Sequence, residues 1–103
     1  MFTWPPPQTT VVNLKEDHYD VRIDRKTKWG NPFHIGKDGT RDEVIHKFEC
    51  WIVDQDHLMK SLGELKGKRL GCWCKPSKCH GDVLARLANN FIEKPNINEN
   101  QGL

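Results

Sequence analysis

What is scarce in this chain of 103 residues already narrows it. Cysteine numbers only four, well short of the roughly 8–10% that marks a disulfide scaffold. Neither charge dominates: 16 Lys and Arg stand against 14 Asp and Glu, a net +2. That balance excludes the uniformly basic face of a dedicated duplex DNA binder. Long apolar runs are missing, and none approaches the ~20 residues that span a bilayer. A basic start followed by an apolar h-region is missing too, so nothing reads as a secretory signal. Leu, Ile, Val and Phe make up about 23% of the residues, just above the roughly 20% below which chains stay disordered. Set against ~150 residues per domain, the length leaves room for one unit. These shortages exclude membrane, fibrous and secreted-knot classes. They predict a small cytoplasmic protein whose thin core needs help from a metal, a ligand or a partner.

The few cysteines are concentrated. Cys50 stands alone, whereas Cys72, Cys74 and Cys79 fall close together and His80 follows directly. In a reducing compartment such a cluster points to metal binding or catalysis. The run Cys-Trp-Cys-Lys-Pro-Ser-Lys-Cys-His matches no zinc-finger spacing, which needs two separated pairs.

Along the chain, residues 1–10, with Trp4-Pro5-Pro6-Pro7, read as an extended arm. Residues 94–103 read as a disordered tail, leaving 11–93 as a single α/β domain. Val11 to Leu14 and Val21-Arg22-Ile23 are strand candidates. Asp24 to Gly39 is a glycine-punctuated loop, and a loop that long in so small a domain is usually functional. Thr40-Arg41-Asp42-Glu43 is a capping box. After it, Val44, Ile45, Phe48, Trp51 and Ile52 recur at helical spacing, with Cys50 on the opposite face. The helix fades between Asp54 and Leu62. Arg69 to Cys74 reads as a third strand, ended by Pro76. Ser77 is the expected N-cap of a second helix, whose apolar stripe is Val83, Leu84, Leu87, Ala88 and Phe91. A strand, a crossover helix and a strand make a right-handed parallel unit. The expected fold is a small Rossmann-like α/β sandwich, of two or three layers, with a short, mostly parallel sheet and two main helices.

In open parallel sheets, ligands bind beyond the carboxyl ends of the strands. If strands 21–24 and 69–74 are parallel neighbours, the loops that follow them face each other across a cleft. One brings Arg25, Lys28, Trp29 and Asn31. The other brings Lys75, Ser77 and Lys78, and it opens a helix whose first amides attract anions. The expected ligand is a nucleotide-like anion, with Trp29 offering a stacking face and Asn31 a bidentate partner. The competing readings are a solvated basic surface, a core-plugging Trp29 and plain turn chemistry at Asn31-Pro32.

The cysteine cluster admits three readings. As a metal site, Cys72 and Cys74 point the same way from a strand, and Cys79 and His80 fold over them. That set suits tetrahedral zinc, or three cysteines suit an iron–sulfur cluster with an open corner. As a catalytic site, Cys79 near a helix N-terminus has a lowered pKa, with His80 or Asp82, or His18 or His34 from elsewhere, as base or orienter. As plain structure, no metal is bound, the cysteines pack as small hydrophobes and His80 is a core histidine satisfied by a carbonyl.

The stretches Tyr19-Asp20-Val21-Arg22-Ile23, Trp29-Gly30-Asn31-Pro32-Phe33 and Leu70-Gly71-Cys72-Trp73-Cys74-Lys75-Pro76, followed by Cys79-His80-Gly81-Asp82, resemble a group of small phage and bacterial proteins known as a domain of unknown function. The resemblance covers roughly residues 11–90. It implies a bacterial or phage setting, with the host cytoplasm as the location if the protein is phage-encoded, and it implies no activity. Where that group carries glycine before the arginine, this chain has Asp24. The leading expectation is a domain that binds a nucleotide or nucleotide-derived anion and hydrolyses or transfers it through Cys79 or a metal-bound water. One alternative is a non-catalytic phage protein that sequesters a host signalling nucleotide or binds a host protein. Another is a zinc-stabilised module for single-stranded nucleic acid.

Overall fold

A computed structural model of the protein describes residues 8–91. The tail expected over 94–103 and the first seven residues of the expected arm lie outside the described residues. Three short strands form one sheet: β1 (Thr10–Asn13), β2 (Val21–Arg22) and β3 (Arg69–Cys72), in the order β1-β3-β2. Both neighbours run parallel to β3, with Val11 beside Leu70 and Asn13 beside Cys72 on one flank, and Val21 beside Leu70 on the other. Two main helices follow the predicted stripes, α1 (Arg41–Ile52) and, after the intervening short helix α2 (Asp56–Lys60), α3 (His80–Asn90). The expected small α/β fold with a parallel sheet and two main helices is the fold found.

β3 is central because it can be. Leu70, Gly71 and Cys72 are all buried, as an apolar strand with neighbours on both sides must be. Leu70 and Cys72 turn towards α3, where Ile23, Val83, Leu84 and Ala88 close the core. Gly71 turns the other way. Leaving β1 at its carboxyl end, the chain must return to the sheet's opposite end before β2 can run parallel. It does so in residues 14–20, crossing β3 directly over Gly71. A Cβ there would meet Leu14 Cβ and Tyr19 Cγ, each at 2.9 Å. The crossing is pinned at both ends: Leu14 N donates to Cys72 O at 3.1 Å, and Asp20 N to Arg69 O at 2.8 Å.

The capping box at α1 forms as its residues require. Thr40 Oγ1 accepts from Glu43 N at 3.2 Å, and Thr40 N donates to Glu43 Oε1 at 2.8 Å. Val44, Phe48 and Ile52 are buried behind it. After α1 the helical pattern does not simply fade. α2 and a 3-10 turn over Leu62–Leu65 add Leu58, Leu62 and Leu65 to the core. Each is too short for a helical period to show in sequence. At the other end of the chain, Thr9 is buried. Its hydroxyl donates to Leu65 O at 2.8 Å and accepts from Gly67 N at 2.8 Å, while its amide donates to Asn89 Oδ1 at 2.7 Å. These bonds fix the entry to β1. The N-cap of α3 needs correction: it is Cys79, not Ser77. Ser77 lies two residues earlier, in a turn where its amide donates to Cys74 O at 2.7 Å.

The crossing over Gly71 yields a direct expectation. Gly71→Ala overpacks the crossing and costs about 1–3 kcal/mol. In urea unfolding the midpoint falls while the slope stays unchanged.

Candidate metal centre and ligand cleft

Because β2 and β3 are parallel neighbours, the loops that follow them leave the same edge. They do face each other. Asp24, Arg25, Asn31 and Phe33 from the first loop, and Trp73, Cys74, Lys78, Cys79 and His80 from the second, line one cleft of about 130 Å³ with Cys72 at the end of β3. The helix α1 supplies a wall that the sequence reading did not foresee, with Arg41, Val44 and Ile45. Only the crossover geometry could have revealed it, since it sets the start of α1 against the start of α3.

Three sulfurs gather in this cleft. Those of Cys72, Cys74 and Cys79 lie within 4.8 Å of one another, and Cys72 Sγ is 3.0 Å from Cys79 Sγ. The expected strand over Arg69 to Cys74 is corrected: β3 ends at Cys72, and Cys74 follows in a bend where its amide donates to Cys72 Sγ at 3.3 Å. The N-cap position sets the third, since an N-cap side chain turns back towards the first amides of its helix. Cys79 Sγ accepts from Gly81 N at 3.3 Å, and Asp82 Oδ2 accepts from Cys79 N at 3.2 Å, a capping box with sulfur in the usual place of a hydroxyl. Asp82 Oδ1 also holds the Lys75 ammonium at 3.0 Å. Three cysteines this close can hold a metal ion. Zinc at about 2.3 Å from each sulfur asks for sulfur separations of about 3.8 Å, inside the spread found here.

The electrostatics divide the buried pair. The Cys79 thiol, donating to Cys72 Sγ, brings the Cys72 pKa down to about 6, helped by the amides of Cys74 and Lys75 and opposed by burial. The same contact, and then burial, raises that of Cys79. The direction runs against the lowered pKa expected of Cys79. Cys79 is the N-cap, not a residue of the first turn, and its sulfur faces one that ionises first. A second thiolate so close would be repelled by the first. Lys75 stays charged beside Asp82, and the sulfurs reinforce this.

His80 is not brought to the three sulfurs. Its Nε2 lies 2.8 Å from Ile23 O, donating to it, and Phe48 meets its ring edge-on at 5.0 Å. Burial keeps the imidazole neutral by lowering its pKa. It ties the start of α3 to the end of β2, which is the carbonyl-satisfied core histidine among the three readings.

The other expected ligand-binding residues separate sharply. Trp29 is 3% exposed, within the core, with the Lys28 ammonium 5.2 Å from its ring centre. It has no free face for a base, and the core-plugging reading holds. Lys28 itself pairs with Glu64 at 3.0 Å. Asn31 is buried, with its amide donating to Val44 O at 3.2 Å and its carbonyl accepting from Phe33 N at 2.9 Å. It supports the loop. Lys78 reaches Asp42 at 3.3 Å, both well exposed. Arg25 lines the cleft with its guanidinium donating to Asn31 O at 2.9 Å and Phe33 O at 3.0 Å. Arg41 donates to Lys78 O at 2.9 Å. Among the described residues, neither arginine pairs with a carboxylate. His18 and His34, considered as bases, do not line the cleft.

Residues 9–90 match the family described as Domain of unknown function (DUF4326). The chain belongs to that family. It is 40% identical over 88 residues to an uncharacterized 12.4 kDa protein in the nrdA-td intergenic region of Enterobacteria phage T4, covering 81% of this chain and 80% of that protein. It is 41% identical over 76 residues to an uncharacterized protein of Acanthamoeba polyphaga mimivirus, covering 66% of this chain and 57% of that one. No solved structure matches it. Among the described residues, no helix is long and apolar enough to cross a membrane.

The sulfur pair gives a pH-dependent signature. In metal-free protein, thiolate absorbance near 240 nm rises as pH passes upward through about 6. Cys79→Ala removes the donor that lowers the Cys72 pKa, so the midpoint moves up towards the ordinary thiol range. An ultraviolet pH titration of the two proteins reads this directly.

Proposed function

We propose that this DUF4326 domain binds a small nucleotide-derived anion in the cleft, with a zinc ion held by Cys72, Cys74 and Cys79 at its floor. The observation that carries the reading is the shared cleft. Three clustered sulfurs and two arginines without carboxylate partners line the same space. An arginine guanidinium is the donor best matched to phosphate, because its fork delivers two parallel hydrogen bonds. The backbone bonds of Arg25 and Arg41 leave other N–H groups for a ligand, since each guanidinium carries five.

The sulfurs fit zinc better than a closed structural site would require. Three protein ligands with no fourth among the described residues is the arrangement of sites that keep one position open. The three cysteines that would hold the ion line the same cleft as Arg25 and Arg41. Bound zinc supplies Lewis-acid polarisation of a ligand oxygen or of water, which suits hydrolysis or group transfer. This chain's own residues do the rest. Lys75 offsets the negative charge of the thiolates. Asp82 holds Lys75 and the Cys79 amide in place, so its expected catalytic role becomes one of positioning. Arg25 and Arg41 take the anion, and the pair between Lys78 and Asp42, exposed on both sides, opens at little cost.

Elemental analysis of protein purified under reducing conditions tests the metal. The expected result is one zinc per chain, lost in Cys74→Ser. Iron with visible absorbance would replace zinc by a cluster, and metal-free protein would overturn this half of the proposal. A thermal-shift screen against 5′-mononucleotides tests the anion, because a ligand of the native state raises the melting temperature by mass action. The expected shift falls in Arg41→Ala, with affinity about tenfold or more weaker. No shift with any nucleotide at millimolar concentration would overturn the binding half. Turnover of the shifting nucleotide, assayed by product formation, separates an enzyme from a sequestering protein.

A further inference from the structure

Four large apolar side chains are exposed among the described residues: Tyr19, Ile35, Val53 and Trp73. Trp73 is the most exposed of them, at 54%, and it lines the cleft. The spacing of its sequence neighbours assigns it no task.

An exposed tryptophan usually gives its N–H to water and its ring to whatever is near. Here the N–H is taken. Trp73 Nε1 donates to Asp24 Oδ2 at 3.0 Å. Asp24 is held in turn by Arg22, whose Nε reaches both carboxylate oxygens at 3.0 Å and whose Nη2 lies 2.9 Å from Oδ2. Only 10% of the Asp24 side chain is exposed. The backbone is fixed as well: Asn13 Nδ2 donates to Lys75 O at 2.8 Å and to Trp73 O at 3.4 Å. The indole is thus anchored at its polar edge by a charge-assisted chain from β2, while much of its surface remains in water. The Arg22 bond also holds the Asp24 pKa low, so the anchor stays charged at neutral pH.

We infer that Trp73 is the stacking platform for the nucleobase of the bound ligand, in the role that the sequence seemed to offer Trp29. The inference rests on the nucleotide reading above and names the residue that reads the base. Base stacking on an aromatic ring needs an open π-face held without loss of side-chain freedom on binding, and a tryptophan anchored beforehand supplies it. The placement is consistent with the rest of the cleft. Trp73 lines the same cleft as Cys72, Cys74 and Cys79, while Arg25 and Arg41 remain for the phosphate. The acid at position 24 also finds its explanation. Its charge is already matched by Arg22, so it orients the indole at little expense to the anion.

The test is calorimetric titration of wild type, Trp73→Leu and Trp73→Phe with AMP, GMP, CMP, UMP and, as a phosphate without a base, ribose 5-phosphate. Wild type should bind at least one mononucleotide about tenfold or more tighter than ribose 5-phosphate, given the usual strength of base stacking. Trp73→Leu should erase that ratio while leaving ribose 5-phosphate unchanged, and Trp73→Phe should restore much of it. A ratio that survives in Trp73→Leu overturns the platform. Equal wild-type affinity for nucleotides and ribose 5-phosphate overturns it too, but leaves the anion site standing. Binding of neither overturns both. A ten-residue thymidylate strand in the same titration distinguishes a free nucleotide from a base within a single strand. The platform requires the Trp73→Leu loss for whichever of the two binds.

Discussion

The contact on which the site depends is the one between the sulfurs of Cys72 and Cys79. It joins the last residue of the central strand to the cap of α3. An N-cap normally uses a hydroxyl or a carboxylate, because a hard oxygen accepts well from the helix amides. Sulfur accepts more weakly, so choosing cysteine here gives up some capping energy. What the position gains is a third sulfur near that of Cys72 at the end of β3 and that of Cys74 just beyond it. The capping geometry that would merely begin a helix in another protein here brings together three sulfurs that could hold a metal ion.

The charge pattern repeats this economy. Loop residues 25–28 and 75–78 hold Arg25, Lys26, Lys28, Lys75 and Lys78 with no acid among them, and by sequence they look like one basic patch. In the fold most are matched. Lys28 meets Glu64, Lys75 meets Asp82 and Lys78 meets Asp42. The two arginines that line the cleft without a carboxylate come from different places, Arg25 from the loop after β2 and Arg41 from the first turn of α1. A near-neutral total is therefore compatible with a locally positive cleft. The field there is set by which cations lack partners, not by how many there are.

Much of the fold was legible because it rests on periodicity and caps. The stripe through Val44, Phe48 and Ile52, the Thr40 box and the short β-branched strands each carry a local signal. The gathering of Cys72, Cys74 and Cys79 was legible from their closeness in sequence and the nearby helix start, although the strand expected to carry Cys74 ends at Cys72. What was not legible is tertiary. Trp29 and Trp73 are both loop-borne tryptophans in sequence, and only packing says which is inside. Trp29 precedes Gly30, where a Cβ would meet Arg25 Cα at 2.5 Å, so the loop folds tightly on itself and draws its tryptophan into the core. Trp73 lies just past the end of β3, in a bend at the cleft, and stays exposed. His80 misled for a related reason. Adjacent to Cys79, it shares a sequence neighbourhood with the sulfurs, but successive residues at a helix start diverge, and its ring turns to Ile23 O.

The crossing over Gly71 ties these features together. A return to a parallel strand usually takes a helix and a dozen or more residues. Here residues 14–20 do it alone, which is possible only because β3 presents no side chain where they pass. That saving keeps the sheet within so short a chain, but it leaves one face of β3 with a loop where a larger domain has a helix. A core this thin gains little from further apolar burial, and a metal that binds only the folded arrangement of three cysteines adds its binding free energy to folding. Two of the three sulfurs, those of Cys72 and Cys79, are buried where the end of β3 meets the start of α3. The same ion that would face a ligand would therefore also hold the central strand to α3. On the proposed reading function and stability reside in one cluster, and losing a sulfur weakens both together.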